Sequence, residues 1–76
     1  MEVKCKGVNK RIKSARIKTG LTQAEFGAAA GLNQPFIALI ESEKRRPSMA
    51  VCIAIAYKHG INEEWLLTGR CKRKKC

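Results

Sequence analysis

The chain is 76 residues long and carries 16 lysines and arginines against six acidic residues, a formal net charge of +10. A chain of this length buries at most about 60% of its unfolded surface, so we expect one small domain with a compact core. Its composition, 45% hydrophobic and 29% charged, is that of a globular protein. The positive charge favours a polyanionic partner, with nucleic acid ahead of an anionic membrane surface.

Neither export nor metal binding is indicated by the sequence. The opening MEVKCKGVNK has no apolar core of a signal peptide, and the run MAVCIAIAY is too short to span a bilayer, so we expect a cytoplasmic protein. The spacing of the cysteines fits no metal motif; they are Cys5, Cys52, Cys71 and Cys76. We therefore expect no metal, cofactor or small-molecule substrate.

The predicted elements are all helical, and in chain order they span residues 8–19, 23–30, 34 to about 42, 49–58 and 63–67. The first has Val8, Ile12 and Ala15 on one apolar stripe. The second opens with Thr22 as N-cap and Glu25 three residues later, which is the spacing of a capping box.

The remaining helices are bounded by similar signals. Asn33 caps the third, and Pro35 is tolerated in its first turn because the backbone N–H has no partner there. Ser48 precedes the fourth helix, and Asn62 caps the short fifth. The closing residues RCKRKKC offer almost nothing apolar, so we expect a domain over residues 1–69 and a disordered basic tail over residues 70–76.

The second and third helices have the spacing of a helix-turn-helix. Phe26, Ile37 and Ile40 are placed to meet across the turn. Gly27 leaves room where the third helix crosses, and Gly31 permits the positive φ of a tight turn. The pattern predicts a compact all-α fold with this motif at helices 2 and 3, although any compact helical hairpin needs a similar core.

Three stretches resemble the helix-turn-helix domain of lambdoid phage repressors and Cro proteins. They are RIKSARIKTGLTQAEF, LIESEKRRPS and INEEWLLTG, in the family's order and spacing between Arg11 and Gly69. The resemblance implies a five-helix domain of the lambda-repressor-like type that binds double-stranded DNA as a homodimer, with the third helix in the major groove.

The resemblance also implies roles for particular residues. Arg16 and Glu41 match an ion pair that joins the first helix to the third, so they are expected to be structural. The dimer surface is expected near Pro47, Met49 and the turn at residues 61–62. The chain departs from the family at Glu43, where glycine is common, and on the outward side of the third helix, which is less polar than usual.

The third helix carries no positive charge, since no lysine or arginine lies between Leu21 and Glu43. We predict that this helix reads bases, because base edges give specificity while phosphates give affinity. The predicted base-contacting residues are Gln34, Pro35, Phe36, Ala38 and Leu39. The Gln34 amide can pair with adenine, and the others can contact only thymine methyl groups. Phe36 and Leu39 have an alternative, which is packing on the fourth helix or contact with a protein partner.

Phosphate contacts are predicted on either side of this helix, at Gln23, Asn33, Lys44, Arg45 and Arg46. Gln23 suits a phosphate and, in the proteins that this chain resembles, orients the residue equivalent to Gln34. Lys44, Arg45 and Arg46 could form a simple solvated loop, but their place directly after the reading helix favours phosphate contact.

Two functional classes follow. The first is a sequence-specific DNA-binding transcriptional regulator, similar to Cro or repressor proteins of a phage or prophage. The alternative is a protein-interaction module of the same fold, of the antitoxin or anti-repressor type, whose apolar surface would include Phe36, Leu39, Val51 and Tyr57. An enzyme is disfavoured because the chain has no aspartate, one histidine and no nucleophile beside a base.

Overall fold

Five helices make up the computed structural model, which describes residues 7–69. In chain order they are α1 (Val8–Thr19), α2 (Gln23–Ala29), α3 (Gln34–Glu41), α4 (Met49–His59) and α5 (Glu63–Thr68). The predicted five-helix, all-α fold is confirmed, and residues 7–69 contain no β-strand. Four predicted helix ends differ from the observed ones by one residue. The predicted tail at residues 70–76 lies outside the described residues, as do Cys5, Cys71 and Cys76.

Side-chain caps fix where the helices begin. Thr22 and Glu25 form a reciprocal capping box, in which each side chain accepts the other residue's backbone N–H, at 3.1 and 2.9 Å. Asn33, Ser48 and Asn62 each accept backbone N–H groups from the first turn of the helix that follows. These bonds satisfy donors that have no partner inside the helix, so the start of α2, α3, α4 and α5 is encoded locally.

The close approach of α2 to α3 depends on Gly27. A Cβ at this position would lie 2.8 Å from Ile37 Cγ1 and 2.9 Å from the carbonyl oxygen of Leu32, which is closer than real Cβ atoms come. Gly31 takes a φ of 76° in the turn, and the Leu32 N–H donates back to the Gly27 carbonyl at 2.8 Å. The absence of a side chain at residue 27 thus lets the two helices of the motif touch.

One apolar core joins all five helices. Phe26, Ile37 and Ile40 from the motif are fully buried and pack with residues of the flanking helices; the other buried apolar residues are Val8, Ile12, Ala15, Cys52, Ile55, Ala56, Ile61 and Leu66. The core holds α2 and α3 against α1 and α4, so the remaining face of α3 is left toward solvent.

Candidate nucleic-acid interface

The outer face of α3 presents the side chains that the sequence assigns to base contact. Gln34, Pro35 and Leu39 are exposed, whereas Phe36 and Ala38 are half-buried. Phe36 also packs against the core cluster. The face therefore consists of one polar side chain, Gln34, and a set of apolar groups, of which Leu39 is 41% exposed.

A chain of hydrogen bonds runs from α1 to Gln34. Arg16 donates to both carboxylate oxygens of Glu41, from Nε at 2.6 Å and from Nη2 at 3.1 Å. Gln23 Nε2 donates to the same carboxylate at 3.1 Å. Gln34 Nε2 then donates to Gln23 Oε1 at 2.8 Å. We call these four residues, Arg16, Glu41, Gln23 and Gln34, the relay.

The relay determines which way each amide points. The Glu41 carboxylate can only accept hydrogen bonds, so Gln23 directs its NH₂ toward it and its oxygen toward Gln34. Gln34 must therefore use one N–H inward. Its carbonyl oxygen and second N–H are left for a partner outside the protein. This donor and acceptor pair is the one that matches N7 and N6 of adenine.

The Arg16–Glu41 pair at the base of the relay is largely shielded from water, with side-chain exposures of 17% and 3%. Arg16 Nη1 also donates to the Leu21 carbonyl at 3.0 Å, at the turn between α1 and α2. The hydrogen bond to Glu41 and the negative charge of that carboxylate raise the pKa of Arg16, against an opposing effect of burial. Arg16 therefore stays charged wherever the domain is folded.

Asn33 and Gln23 flank the start of α3, where phosphate contact is predicted. Asn33 Oδ1 accepts the Phe36 N–H at 2.9 Å, so its Nδ2 donor is not used by the cap. In Gln23, the side-chain oxygen and one N–H already belong to the relay. The second N–H of Gln23 takes no part in the relay.

A basic loop follows α3 and is tied back to it. Lys44 and Arg45 donate their backbone N–H groups to the Leu39 carbonyl, at 3.0 and 3.3 Å. Between the helix and these residues lies Glu43, whose φ is 63°. This left-handed backbone is rarely adopted by residues other than glycine, which accounts for the glycine usual in the proteins that this chain resembles.

Asn9 of α1 joins this loop to α3, a role that the sequence did not reveal. Its Nδ2 donates to the Ile40 carbonyl at 2.7 Å and to the Arg45 carbonyl at 2.9 Å. A weak signal was present, because asparagine is a poor helix former and stands here beside the buried Val8. Nothing in the sequence identifies carbonyls more than 30 positions away as its partners.

Arg45 lies over the ring of Phe36, with its Cζ atom 5.1 Å from the ring centroid, which is within cation–π range. Beside this pair is an open depression of about 330 Å³ on the outer side of α3. Its lining is mainly apolar and comes from Gly31, Leu32, Asn33, Pro35, Phe36 and Leu39.

Other polar residues of the chain are used to hold the fold. Arg11 donates from Nε and Nη2 to the carbonyls of Leu66 and Leu67, at 2.8 and 3.0 Å. His59 stacks on Phe26 with ring centroids 4.0 Å apart, and its Nε2 lies 2.9 Å from the Phe26 carbonyl oxygen. Arg11 thereby links α1 to the end of α5, and His59 links α4 to α2.

Residues 7–69 contain no group of three histidine, cysteine, aspartate or glutamate side chains that could hold a metal ion. Within the same range, no helix has the length and apolar character that crossing a membrane requires.

Residues 12–66 match the helix-turn-helix family model, and the chain therefore belongs to this family of DNA-binding domains. Among characterised proteins, it is similar to the propionyl-CoA carboxylase regulator of Cereibacter sphaeroides, with 30% identity over 63 residues. The matched segment is 83% of this chain and 14% of that regulator, so the chain spans about one seventh of the relative's length.

Proposed function

We propose that the domain is a sequence-specific transcriptional regulator of the Cro and repressor type, which places α3 in the major groove of a two-fold operator. The observation that carries this proposal is the relay, because it fixes the amide of Gln34 on the outer face of α3. A side chain with a fixed donor and acceptor pair discriminates between bases, whereas a mobile one first has to be ordered.

The residues around Gln34 divide the work of binding. Gln34 accepts from adenine N6 and donates to N7, while Pro35, Phe36, Ala38 and Leu39 contact thymine methyl groups. Phosphates are bound by Gln23 and Asn33 before α3 and by Lys44, Arg45 and Arg46 after it. This division is supported by the exposure of Gln34, Pro35 and Leu39 on α3 and of Lys44, Arg45 and Arg46 in the basic loop.

The domain binds as a homodimer in this proposal, since one small domain reads only a few base pairs. The half-sites would then be about 10 base pairs apart, centre to centre. Of the residues expected near the dimer surface, Pro47 and Ile61 are buried within one copy, so Met49 and Asn62 are the accessible members. A footprint of one unpaired half-site at saturating protein would contradict the dimer.

The C. sphaeroides relative is named as a regulator of propionyl-CoA carboxylase, and we extend a regulatory role, acting on transcription, to this chain as part of the proposal. The domain would act in the cytoplasm, where the DNA is, and without catalysing a reaction.

The competing class, a protein-interaction module, draws on exposed apolar groups such as Leu39 and Tyr57, which are 41% and 69% exposed. Phe36 and Val51, the other members of that predicted surface, are half-buried and pack on the core.

Salt dependence separates the two classes. When six phosphates are bound, the affinity for DNA falls by about 10³-fold or more as the salt concentration rises from about 50 to 200 mM. An apolar protein interface responds little to salt.

The proposal is tested by selecting bound duplexes from a random DNA pool and titrating protein variants against the selected duplexes. Gln34→Ala should cost about 1–3 kcal/mol on the preferred duplex and relax specificity at one base pair. Lys44→Ala is the matched control, because it should weaken binding to all duplexes alike and lower the salt slope by about one ion. Equal losses on every duplex for Gln34→Ala would show that Gln34 does not read a base.

A further inference from the structure

Arg45 is held more firmly than a phosphate contact requires. Its carbonyl accepts from Asn9 Nδ2, its N–H donates to the Leu39 carbonyl, and its guanidinium lies over the Phe36 ring. Lys44, the neighbouring cation, shares with Arg45 a backbone bond to the Leu39 carbonyl. Both the backbone and the side chain of Arg45 are therefore oriented.

Orientation matters for base reading more than for phosphate binding. A phosphate is attracted by charge at many angles, and a flexible lysine is adequate for it. A guanine presents O6 and N7 side by side in the groove, and a planar guanidinium must meet them edge-on with two donors. A cation–π contact engages the charge of the guanidinium and uses none of its N–H donors as a hydrogen bond to a side chain or carbonyl would, so these donors stay available for such a contact.

The location of the guanidinium also favours the groove. Phe36 belongs to the first turns of α3, and it lines the same depression as Pro35 and Leu39, the apolar members of the reading face. Arg45 thus reaches back from the loop and lies beside the helix that reads the bases. It brings to this surface the cation that α3 itself lacks, since α3 has no lysine or arginine.

We infer that Arg45 is a specificity residue that donates two hydrogen bonds to O6 and N7 of a guanine, with Phe36 and Asn9 as its positioning residues. This inference rests on the proposed function and changes one part of it, because charge and position alone group Arg45 with the phosphate contacts. The half-site would then contain a guanine in addition to the adenine opposite Gln34.

The test is a double-mutant cycle between protein and DNA. Each guanine of the selected duplex is replaced in turn by 7-deazaguanine, which keeps base pairing but lacks the N7 acceptor. Wild-type protein should lose about 10-fold in affinity at one guanine in each half-site. Arg45→Ala should bind more weakly overall and show no further loss at that guanine. Phe36→Leu should show a reduced loss there, and thermal melting of each variant establishes that it is folded.

Lys44→Ala provides the matched control, since it removes one cation from the same loop and should keep the full 10-fold loss at that guanine. The inference is overturned if Arg45→Ala retains the loss at every guanine while its salt slope falls by about one ion, which is the signature of a phosphate contact. A selected half-site without guanine overturns it as well. Failure of the proposed function looks different, because wild-type protein would then enrich no sequence at all.

Discussion

Replacing Arg16 by alanine tests whether the start of the relay is also a main support of the fold. The variant loses two charge-assisted hydrogen bonds to Glu41, at 2.6 and 3.1 Å, and one bond to the Leu21 carbonyl. It leaves the Glu41 carboxylate, 3% exposed, with Gln23 as its remaining hydrogen-bond donor among the described contacts. Leaving a buried carboxylate without its cation strongly lowers the free energy of unfolding.

The size of the loss follows from the burial of the pair. Breaking a buried ion pair by removing one partner costs about 3–5 kcal/mol, whereas an exposed pair is worth about 0–1 kcal/mol. The exposures of 17% and 3% place Arg16 and Glu41 near the buried case, and the expected loss is reduced because Arg16 is the more exposed partner. We therefore expect a loss of about 3 kcal/mol. A domain of this size has about 4–11 kcal/mol in total, so the variant would be barely stable.

Thermal melting without DNA measures this directly. For a small domain, about 3 kcal/mol corresponds to a fall of roughly 12–24 °C in the midpoint. Lys13→Ala is the matched control, because Lys13 is an exposed cation on the same helix, and its midpoint should stay within about 2 °C of wild type. A fall of less than about 4 °C for Arg16→Ala would refute the reasoning and would move Arg16 to the predicted phosphate contacts.

A compensating double variant shows where the penalty comes from. Arg16→Met combined with Glu41→Leu removes both charges and keeps similar volumes, so it should be clearly more stable than Arg16→Ala. A double variant no more stable than Arg16→Ala would mean that the stranded Glu41 charge is not the cause.

Three further substitutions address the packing around the site. Gly27→Ala should lower stability by about 1–3 kcal/mol in urea unfolding, because its Cβ would overlap a backbone oxygen that cannot move cheaply, and an unchanged midpoint would disprove the tight crossing. Glu43→Gly should instead raise stability by about 0.5–1 kcal/mol, since glycine adopts the positive φ without strain; a loss would show that this backbone is not strained. Asn9→Asp should destabilise the domain more than Asn9→Ala does, because a charged Asp side chain has nearly the same shape but cannot donate a hydrogen bond from Oδ2. The reverse order of stability would rule out the two carbonyl contacts.

The fold was predictable because its signals are local. Thr22 with Glu25, Asn33 and Asn62 mark helix starts within four residues of the groups they bond, and Gly31 marks the turn by its own backbone. The predicted C-terminal ends of four helices differ from the observed ends by one residue, since the last turn of a helix frays and is set by packing rather than by a cap alone.

The site was predictable only in part, because its geometry depends on contacts between distant residues. The glutamine at position 34 is visible in the sequence, and the resemblance suggested its link to Gln23. The bonds from Asn9 to α3 and the loop and from Arg11 to α5 join residues separated by 31 to 56 positions, and no periodicity encodes them. Charge counting assigns Arg45 to the phosphates, whereas its contact with Phe36 depends on how the loop folds back over α3.

The bond between α1 and α5 through Arg11 has a consequence for how the domain can be used. A Cβ on Gly7 and a Cβ on Gly69 would both lie close to the same guanidinium nitrogen, at 3.0 and 3.2 Å, so the two ends of the described chain lie side by side. Adjacent termini allow a domain to be inserted into a surface loop of another protein or circularly permuted through a short linker. Because residues 7 and 69 lie next to each other, a longer polypeptide can connect to both ends of this segment at one place on its surface.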